Sequence, residues 1–263
     1  MPLQTIDEVI AAMQQVIDEC IKNNDRMGYF AALYHKVTVA VKEGIAKGEF
    51  EDGPRMDRFD VIFASRYLDA LAAWKKKEQI SASWEIAFNA TKKSSYLILQ
   101  QLLMGMNAHI NLDLGIAAAQ IAGDQPIENI HKDFNTINAI LSSLTYDVLK
   151  DIDSMSPLLS LLGLHAGNQS SVLIQFSIGN ARDGAWCFAE DLYGKKGTEE
   201  ETCIHNRDKS IATLAGGLIH TTGVMRLTVW IIRLFEWHSP SSVIKKLQAS
   251  QKKYFTVGET GIK

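Results

Sequence analysis

The stretch SYLILQQLLMGMNAHINLDLGIAAAQIA, residues 95–122, decides the fold. Nearly every position in it is apolar or small, and it contains no lysine, arginine or glutamate. A helix that is hydrophobic on all sides is normally surrounded by other elements of the protein. The stretch therefore predicts a long central helix that is buried inside a helical protein.

The rest of the chain shows the same helical spacing of apolar residues. Alternating strand-like runs bounded by turn signals do not occur in the sequence. We predict helices over residues 5–23, 26–47, 54–77, 82–92, 95–122, 126–151, 156–163, 168–194, 199–236 and 240–252. The predicted fold class is all-α, a single domain over residues 1–263 that forms an irregular bundle of about eight to ten helices around the buried central helix 95–122.

Composition limits the classes of function. The chain has 263 residues, of which 46% are hydrophobic, and a formal net charge of −3. Near-balanced charge argues against nucleic-acid binding or anionic-membrane binding over a broad surface, although it leaves room for a local basic pocket. The most hydrophobic late stretch, residues 211–235, is interrupted by His220, Arg226 and Arg233, so we expect no membrane span. Three cysteines without a CxxC spacing, and no secretory signal, predict a cytoplasmic protein.

Two polar pairs interrupt the apolar central helix. His109 and Asp113 are four residues apart, and so are Asn107 and Asn111. Residues at this spacing lie one turn above each other, and the two pairs fall on nearly opposite sides of the helix. Buried polar groups need hydrogen-bond partners, a metal or a polar cavity. One pair is therefore expected to supply a site, and the other to tie the helix to its neighbours.

The His-x-x-x-Asp spacing of the first pair suits a divalent metal, because zinc, manganese and iron accept imidazole nitrogen and carboxylate oxygen. A catalytic metal needs a third protein ligand, for which His35, His220 and Asp183 are candidates on other apolar segments. The alternative is a closed network in which Asp113 accepts a hydrogen bond from His109 or from a buried arginine. Arg66, which is surrounded by apolar residues in its predicted helix, is the candidate for that arginine, with Asp69 as its other available partner.

The segment MNAHINLDL, residues 106–114, resembles the signature of a bacterial family of unknown function with a Gly-Met-Asn-Ala-His-Ile-Asn-x-Asp-Leu core. RMDRFDVIFASRYLDAL (55–71), SASWEIAF (81–88) and ARDGAWCFAEDL (181–192) are similar to further blocks of that family, so the resemblance covers most of the chain. It implies no established activity. It does imply that Asn107, His109, Asn111 and Asp113 form a site that is common to the family.

Two functions follow as hypotheses. The first is an enzyme, a metal-dependent hydrolase acting on a small molecule, with His109, Asp113, Asn107, Asn111 and Arg66 as catalytic residues and His109, Asp113, His35, His220 and Asp183 as metal ligands. Without a metal, His109 would act as a base oriented by Asp113. The second is a non-enzymatic protein that binds a ligand or a partner, in which the polar cluster is a structural hydrogen-bond network. A third hypothesis is an iron or haem site, but the absence of paired Glu-x-x-His motifs disfavours it. The sequence specifies neither a substrate nor an oligomeric state.

Overall fold

The computed structural model of the chain describes residues 2–165 and 177–249. Within these ranges it contains eleven α-helices and no strand. In chain order the helices are Ile6–Asn23 (α1), Gly28–Ala46 (α2), Gly53–Lys76 (α3), Ala82–Thr91 (α4), Ile98–Ala108 (α5), Leu114–Ala122 (α6), His131–Met155 (α7), Ile178–Leu192 (α8), Thr198–Ile219 (α9), Gly223–Leu234 (α10) and Pro240–Ala249 (α11). Short 3-10 turns occur at Ile127–Ile130 and Leu159–His165. The all-α prediction is confirmed.

Several predicted boundaries are wrong. The central helix begins at Ile98 instead of residue 95, and a π-helical turn at His109–Asp113 separates α5 from α6. The predicted helix 199–236 is two helices, because the chain becomes extended at Thr222 and Gly223 adopts a φ of +55° that other residues rarely adopt. Residues 156–163 contain a 3-10 turn in place of an α-helix. Part of the predicted helix 168–194, and the end of the helix 240–252, lie outside the described residues.

The central helix, α5 with the π turn and α6, runs through the core as predicted. Its buried positions include Leu102, Met104, Ala108 and Ile116, each at most 1% exposed. These side chains are buried because other helices enclose the central helix, including α2, α4 and α9 at α5 and α3 and α8 at α6. Dispersion and the hydrophobic effect over this interface hold the bundle together.

Two glycines set how closely the neighbouring helices approach the central helix. A Cβ atom added at Gly105 would lie 2.5 Å from the ring of Phe30 in α2. One added at Gly115 would lie 2.8 Å from the carbonyl oxygen of Ala185 in α8. Both distances are shorter than any normal contact, so these positions need glycine for reasons of packing. Within the part of the chain that the structure describes, no helix is long and apolar enough to cross a membrane.

Candidate functional site

A π-helical turn places the first polar pair. The amide of Leu114 donates to the carbonyl oxygen of His109, five residues earlier, and this wider turn covers His109–Asp113. Single π turns inserted in α-helices are frequent at functional sites, because they rearrange side chains that would otherwise follow the α-helical repeat. The imidazole of His109 and the carboxylate of Asp113 come together here, 3.1 Å apart between Nδ1 and Oδ2.

Three side chains converge on the carboxylate of Asp113, which is 2% exposed. Arg66 in α3 donates from Nε to Oδ1 at 2.9 Å, and Trp84 in α4 donates from Nε1 to Oδ2 at 2.8 Å. The third is His109. A guanidinium and an indole can only donate, so both oxygens of Asp113 act as acceptors in these bonds. Two partners were considered for Arg66 from the sequence, Asp69 in the same helix and Asp113 across the core. In the structure Arg66 contacts Asp113.

These bonds determine the tautomer of His109. Because the oxygens of Asp113 act as hydrogen-bond acceptors, Nδ1 of His109 carries the proton and Nε2 keeps its lone pair. Burial lowers the pKa of His109 below its ordinary value, while the hydrogen bond and charge of Asp113 oppose that shift. The imidazole is therefore neutral at pH 7. Among the described residues, Nε2 is buried and has no hydrogen-bond partner.

Aromatic rings hold the imidazole in place. The ring of Phe63 stacks on it with centroids 3.7 Å apart and an interplanar angle of 7°. The ring of Tyr34 meets it edge-on at 4.3 Å. The rings of Phe30 and Trp84 also lie next to the imidazole, with centroid distances of 5.7 and 6.0 Å. With one face stacked on Phe63, other rings packed around it and Nδ1 bonded, the orientation of His109 is fixed before any ligand arrives. A binding or catalytic group requires such a fixed orientation.

His109 lines a cavity of about 570 Å³, a size typical of small-molecule sites. The cavity lies between α2, α3, α5, α7 and α8, and most of its wall is aliphatic or aromatic. Its apolar lining includes Leu33, Val37, Val41, Leu99, Leu103, Met106, Ile137 and Leu144, and its polar lining is Tyr34, Asp60, His109, Ser177 and Arg182. An apolar chamber with a few polar groups is the usual form of a binding site for a small organic molecule.

Two further groups on the wall are strongly perturbed. Burial, with a smaller contribution from the charge of Asp57, raises the pKa of Asp60 to about 8. Its Oδ2 is buried without a hydrogen-bond partner in the described part of the chain. Burial, followed by the charge of Asp60, raises the pKa of the Tyr34 phenol well above its ordinary value. At pH 7 both groups are thus neutral acids, and such perturbed groups in one cavity mark a candidate site.

The second polar pair faces away from this cavity. The amide nitrogen of Asn107 donates to the carbonyl oxygen of Ile211 in α9 at 3.0 Å, and that of Asn111 donates to Oδ1 of Asn107 at 3.1 Å. Arg207 in α9 donates to the carbonyl oxygen of Asn111. Neither asparagine lines the cavity. Their predicted catalytic role is therefore not supported, because their hydrogen bonds join the central helix to α9.

The predicted additional metal ligands do not meet at the site. His220 and Asp183 are exposed at the surface, and His35 is half-buried in α2 outside the cavity lining. The predicted inward orientation of His220 is wrong because α9 ends at Ile219, which leaves His220 in the turn. Among the side chains that the structure describes, no three from histidine, cysteine, aspartate or glutamate are placed to hold a metal ion.

The remaining donors, His109 and Asp113, fit a divalent metal poorly. Both oxygens of Asp113 and the Nδ1 atom of His109 are already engaged in hydrogen bonds. The guanidinium of Arg66 lies 2.9 Å from Asp113 and would repel a cation bound to the same carboxylate. In this geometry the described side chains form a hydrogen-bonded histidine site.

Sequence reasoning missed three contributors. The first is Trp84, which donates to Asp113 and lies in an apolar helix three residues after its N-cap, Ser81. The signal was that a tryptophan buried in such a helix needs an acceptor for its N–H. Tyr34 and Asp60 lie on the apolar faces of α2 and α3. A carboxylate among buried phenylalanines was the available signal for Asp60, since buried acids are rare unless they are paired or functional.

No curated protein and no solved structure shows a significant match to the chain. A family model matches it over residues 6–221, which includes α1–α9 and every residue of the site described above. By that match the chain belongs to DUF5995, a family of unknown function.

Proposed function

We propose that this protein binds a mainly apolar small molecule in the cavity, and that His109 accepts a hydrogen bond from its polar group. The observation that carries the proposal is the buried Nε2 atom of His109, which has no partner among the described residues although the ring lines a cavity of about 570 Å³. A buried acceptor without a partner costs about 1–3 kcal/mol. A ligand that donates to it recovers that free energy.

The walls indicate the shape of the ligand. Most of the lining is apolar, its aliphatic side chains come mainly from α2, α5 and α7, and the polar groups are few. A ligand with a hydrocarbon body and one O–H or N–H donor satisfies both features. The aromatic cage of Phe63 and Tyr34 keeps Nε2 oriented, so little conformational entropy is lost at the polar contact.

A matched pair of ligands tests this proposal. 4-Pentylphenol and 4-pentylanisole differ in the O–H donor, and each is measured by displacement of the neutral fluorescent probe N-phenyl-1-naphthylamine. We expect saturable binding of both, with the phenol about three- to tenfold tighter, the worth of one net hydrogen bond. In His109→Phe the preference for the phenol disappears while the anisole still binds.

Two controls localise the binding. Val37→Trp projects an indole into the cavity and is expected to abolish displacement of the probe, because Val37 lines the wall. Leu227→Ser, on the exposed surface of α10, should leave binding unchanged. Absence of saturable binding, or an unchanged phenol preference in His109→Phe, would contradict the proposal.

The same geometry supports a second candidate function, general-base catalysis. A neutral imidazole whose Nδ1–H is held by a carboxylate is the arrangement that activates a nucleophile or removes a proton. The hydrolase predicted from sequence would then work without a metal, with His109 as base and Asp113 and Arg66 orienting it. Hydrolysis of p-nitrophenyl hexanoate above the buffer rate, lost in His109→Phe and kept in Leu227→Ser, would support this function. No turnover would leave ligand binding as the function.

A further inference from the structure

Helix α10, Gly223–Leu234, is apolar on two opposite faces. Met225, Val229 and Ile232 are buried against the core, at most 8% exposed. On the other side Val224, Leu227, Trp230 and Leu234 are 54–70% exposed, and Phe235 and Trp237 continue the surface at 38% and 75%. The four helical residues lie within a stripe of about 120°. Isolated exposed apolar side chains are ordinary, but a contiguous set of this size marks an interaction surface.

We define this surface, Val224, Leu227, Trp230, Leu234, Phe235 and Trp237, as the α10 patch. The helix that carries it is firmly attached. Glu236, 4% exposed, accepts hydrogen bonds from the amide of Ile98 at the start of α5 and from the hydroxyl of Ser156. Arg233 donates to the carbonyl oxygen of Ser94. Because both contacts fix the end of α10, the patch is a fixed surface feature of the fold.

Exposed cationic residues lie beside the patch. Helix α10 itself carries Arg226, which is exposed, and Arg233, and the one acidic residue within residues 220–249, Glu236, is buried. Lys92 and Lys93 are exposed next to Ser94, which Arg233 contacts. The 3-10 turn Leu159–His165, which packs against α10, contains no acidic residue either. In a chain with a net charge of −3, this cationic border is a local feature.

We infer that the α10 patch docks the protein onto the surface of an anionic lipid bilayer. Leucine and tryptophan on one face with arginine and lysine at its border is the composition of helices that lie in the bilayer interface. Tryptophan prefers that interface because its ring is apolar and its N–H is polar. A second copy of the chain is a poorer occupant, because a symmetric pairing would place two cationic borders together.

Vesicle co-sedimentation of the full chain tests the inference. Vesicles of phosphatidylcholine containing about one-third phosphatidylserine present the anionic surface, and pure phosphatidylcholine is the neutral control. We expect at least about tenfold stronger partitioning to the anionic vesicles, with a blue shift of tryptophan emission. The double variant Leu227→Ser/Trp230→Ser should lose at least about tenfold in partitioning on both kinds of vesicle, since both residues are exposed and the fold does not need them.

A charge variant and a matched control separate the two contributions. Lys93→Gln/Arg226→Gln should abolish the preference for phosphatidylserine, while Lys196→Gln, a lysine exposed elsewhere on the surface, should keep it. Partitioning that is absent, or equal in the parent and the Leu227→Ser/Trp230→Ser variant, overturns the inference. So does sedimentation equilibrium that shows a dimer of the parent and a monomer of that variant, because the patch would then be a subunit interface.

Discussion

The central helix carries two polar pairs with the same spacing, but the two pairs differ in how completely they are hydrogen-bonded. On one side, Asn107 and Asn111 bond to each other and to α9, and neither is among the described residues that have a buried side-chain atom without a partner. On the other side, His109 and Asp113 bond to each other, to Arg66 and to Trp84, yet Nε2 of His109 remains unpaired among the described residues. Equal spacing thus serves two different purposes.

The difference shows how to separate a structural network from a site. A polar network that only specifies packing gains by satisfying every member, because each unsatisfied buried atom costs free energy. The asparagine face follows that rule. The histidine face breaks it at one atom, and that atom belongs to a ring that borders a cavity. Stability and ligand binding should therefore respond differently to substitutions on the two faces.

The largest loss of stability at pH 7 is expected from Asp113→Ala. The substitution leaves the N–H groups of Trp84 and His109 without an acceptor, and it leaves Arg66 without its counter-charge. Breaking a buried ion pair costs about 3–5 kcal/mol, and because Arg66 is 29% exposed we expect the lower end of this range, about 3 kcal/mol. Urea unfolding at pH 7 measures it.

Asp69→Ala is the matched control for that experiment. Asp69 is an exposed acid three residues after Arg66 in α3, and Arg66 makes its ion pair with Asp113 instead. Its removal should change the free energy of unfolding by less than about 0.5 kcal/mol. A loss of less than about 0.5 kcal/mol in Asp113→Ala as well would mean that the Asp113 carboxylate contributes little to the fold.

The asparagine face should show a smaller loss, with no change in function. Asn107→Ala removes the bond to the carbonyl oxygen of Ile211 and leaves the amide of Asn111 without its acceptor. We expect the free energy of unfolding to fall by about 2 kcal/mol. Binding of 4-pentylphenol should be unchanged, measured by displacement of N-phenyl-1-naphthylamine. Weakened binding in this variant would place the asparagines in the site after all.

The contrast between the faces also shows how far the sequence could lead. Helical periodicity and the uncharged stretch 95–122 predicted an all-α fold with a buried central helix, because burial follows directly from apolar composition. The i, i+4 spacing predicted the two opposite pairs. It did not predict the π turn at His109–Asp113, since that turn depends on tertiary contacts that no local pattern encodes.

The missed and misplaced residues have a common physical cause. Trp84 and Asp60 join the site because α4 packs against α5, and α3 packs against the π turn and α6. Spacing within one helix cannot reveal these contacts. His220 was misplaced because periodicity was extended through the turn before Gly223. A glycine preceded by two threonines in an apolar run was the available warning.

The cavity wall provides a pH-dependent test. The pKa of Asp60 rises from its ordinary value of 3.8 to about 8 in the folded protein, so the folded chain holds a proton that the unfolded chain releases. The stability contributed by the protonated form is complete below pH 3.8 and is lost as pH rises toward 8. Asp60→Asn keeps a neutral group at all pH values. The free energy of unfolding of Asp60→Asn, relative to that of the parent, should therefore increase by about 1 kcal/mol per pH unit between pH 4 and pH 8. Above pH 8 the difference should become constant.

Chemical denaturation at pH 4.5, 6, 7.5 and 9 follows this difference. Glu85→Gln is a suitable control, because Glu85 is an exposed acid in the first turn of α4. Its difference from the parent should show no such slope across this range. A pH-independent difference for Asp60→Asn would mean that Asp60 is ionised in the folded protein and that the cavity is more polar than its lining indicates.

The smallest effect on stability is expected at the residue that matters most for function. His109→Phe loses the hydrogen bond from Nδ1 to Asp113, but it also removes the buried Nε2 acceptor and keeps a ring to stack on Phe63. These contributions are each about 1–3 kcal/mol and opposite in sign, so the net change at pH 7 should stay within about 1 kcal/mol. Burial lowers the pKa of His109 below 6.5, so the folded parent loses stability as pH falls below that value while the variant does not. Urea unfolding should therefore show that the free energy of unfolding of His109→Phe, relative to that of the parent, is higher at pH 5 than at pH 7. A large loss at pH 7, comparable to that of Asp113→Ala, would make His109 a structural residue like the asparagines on the opposite face.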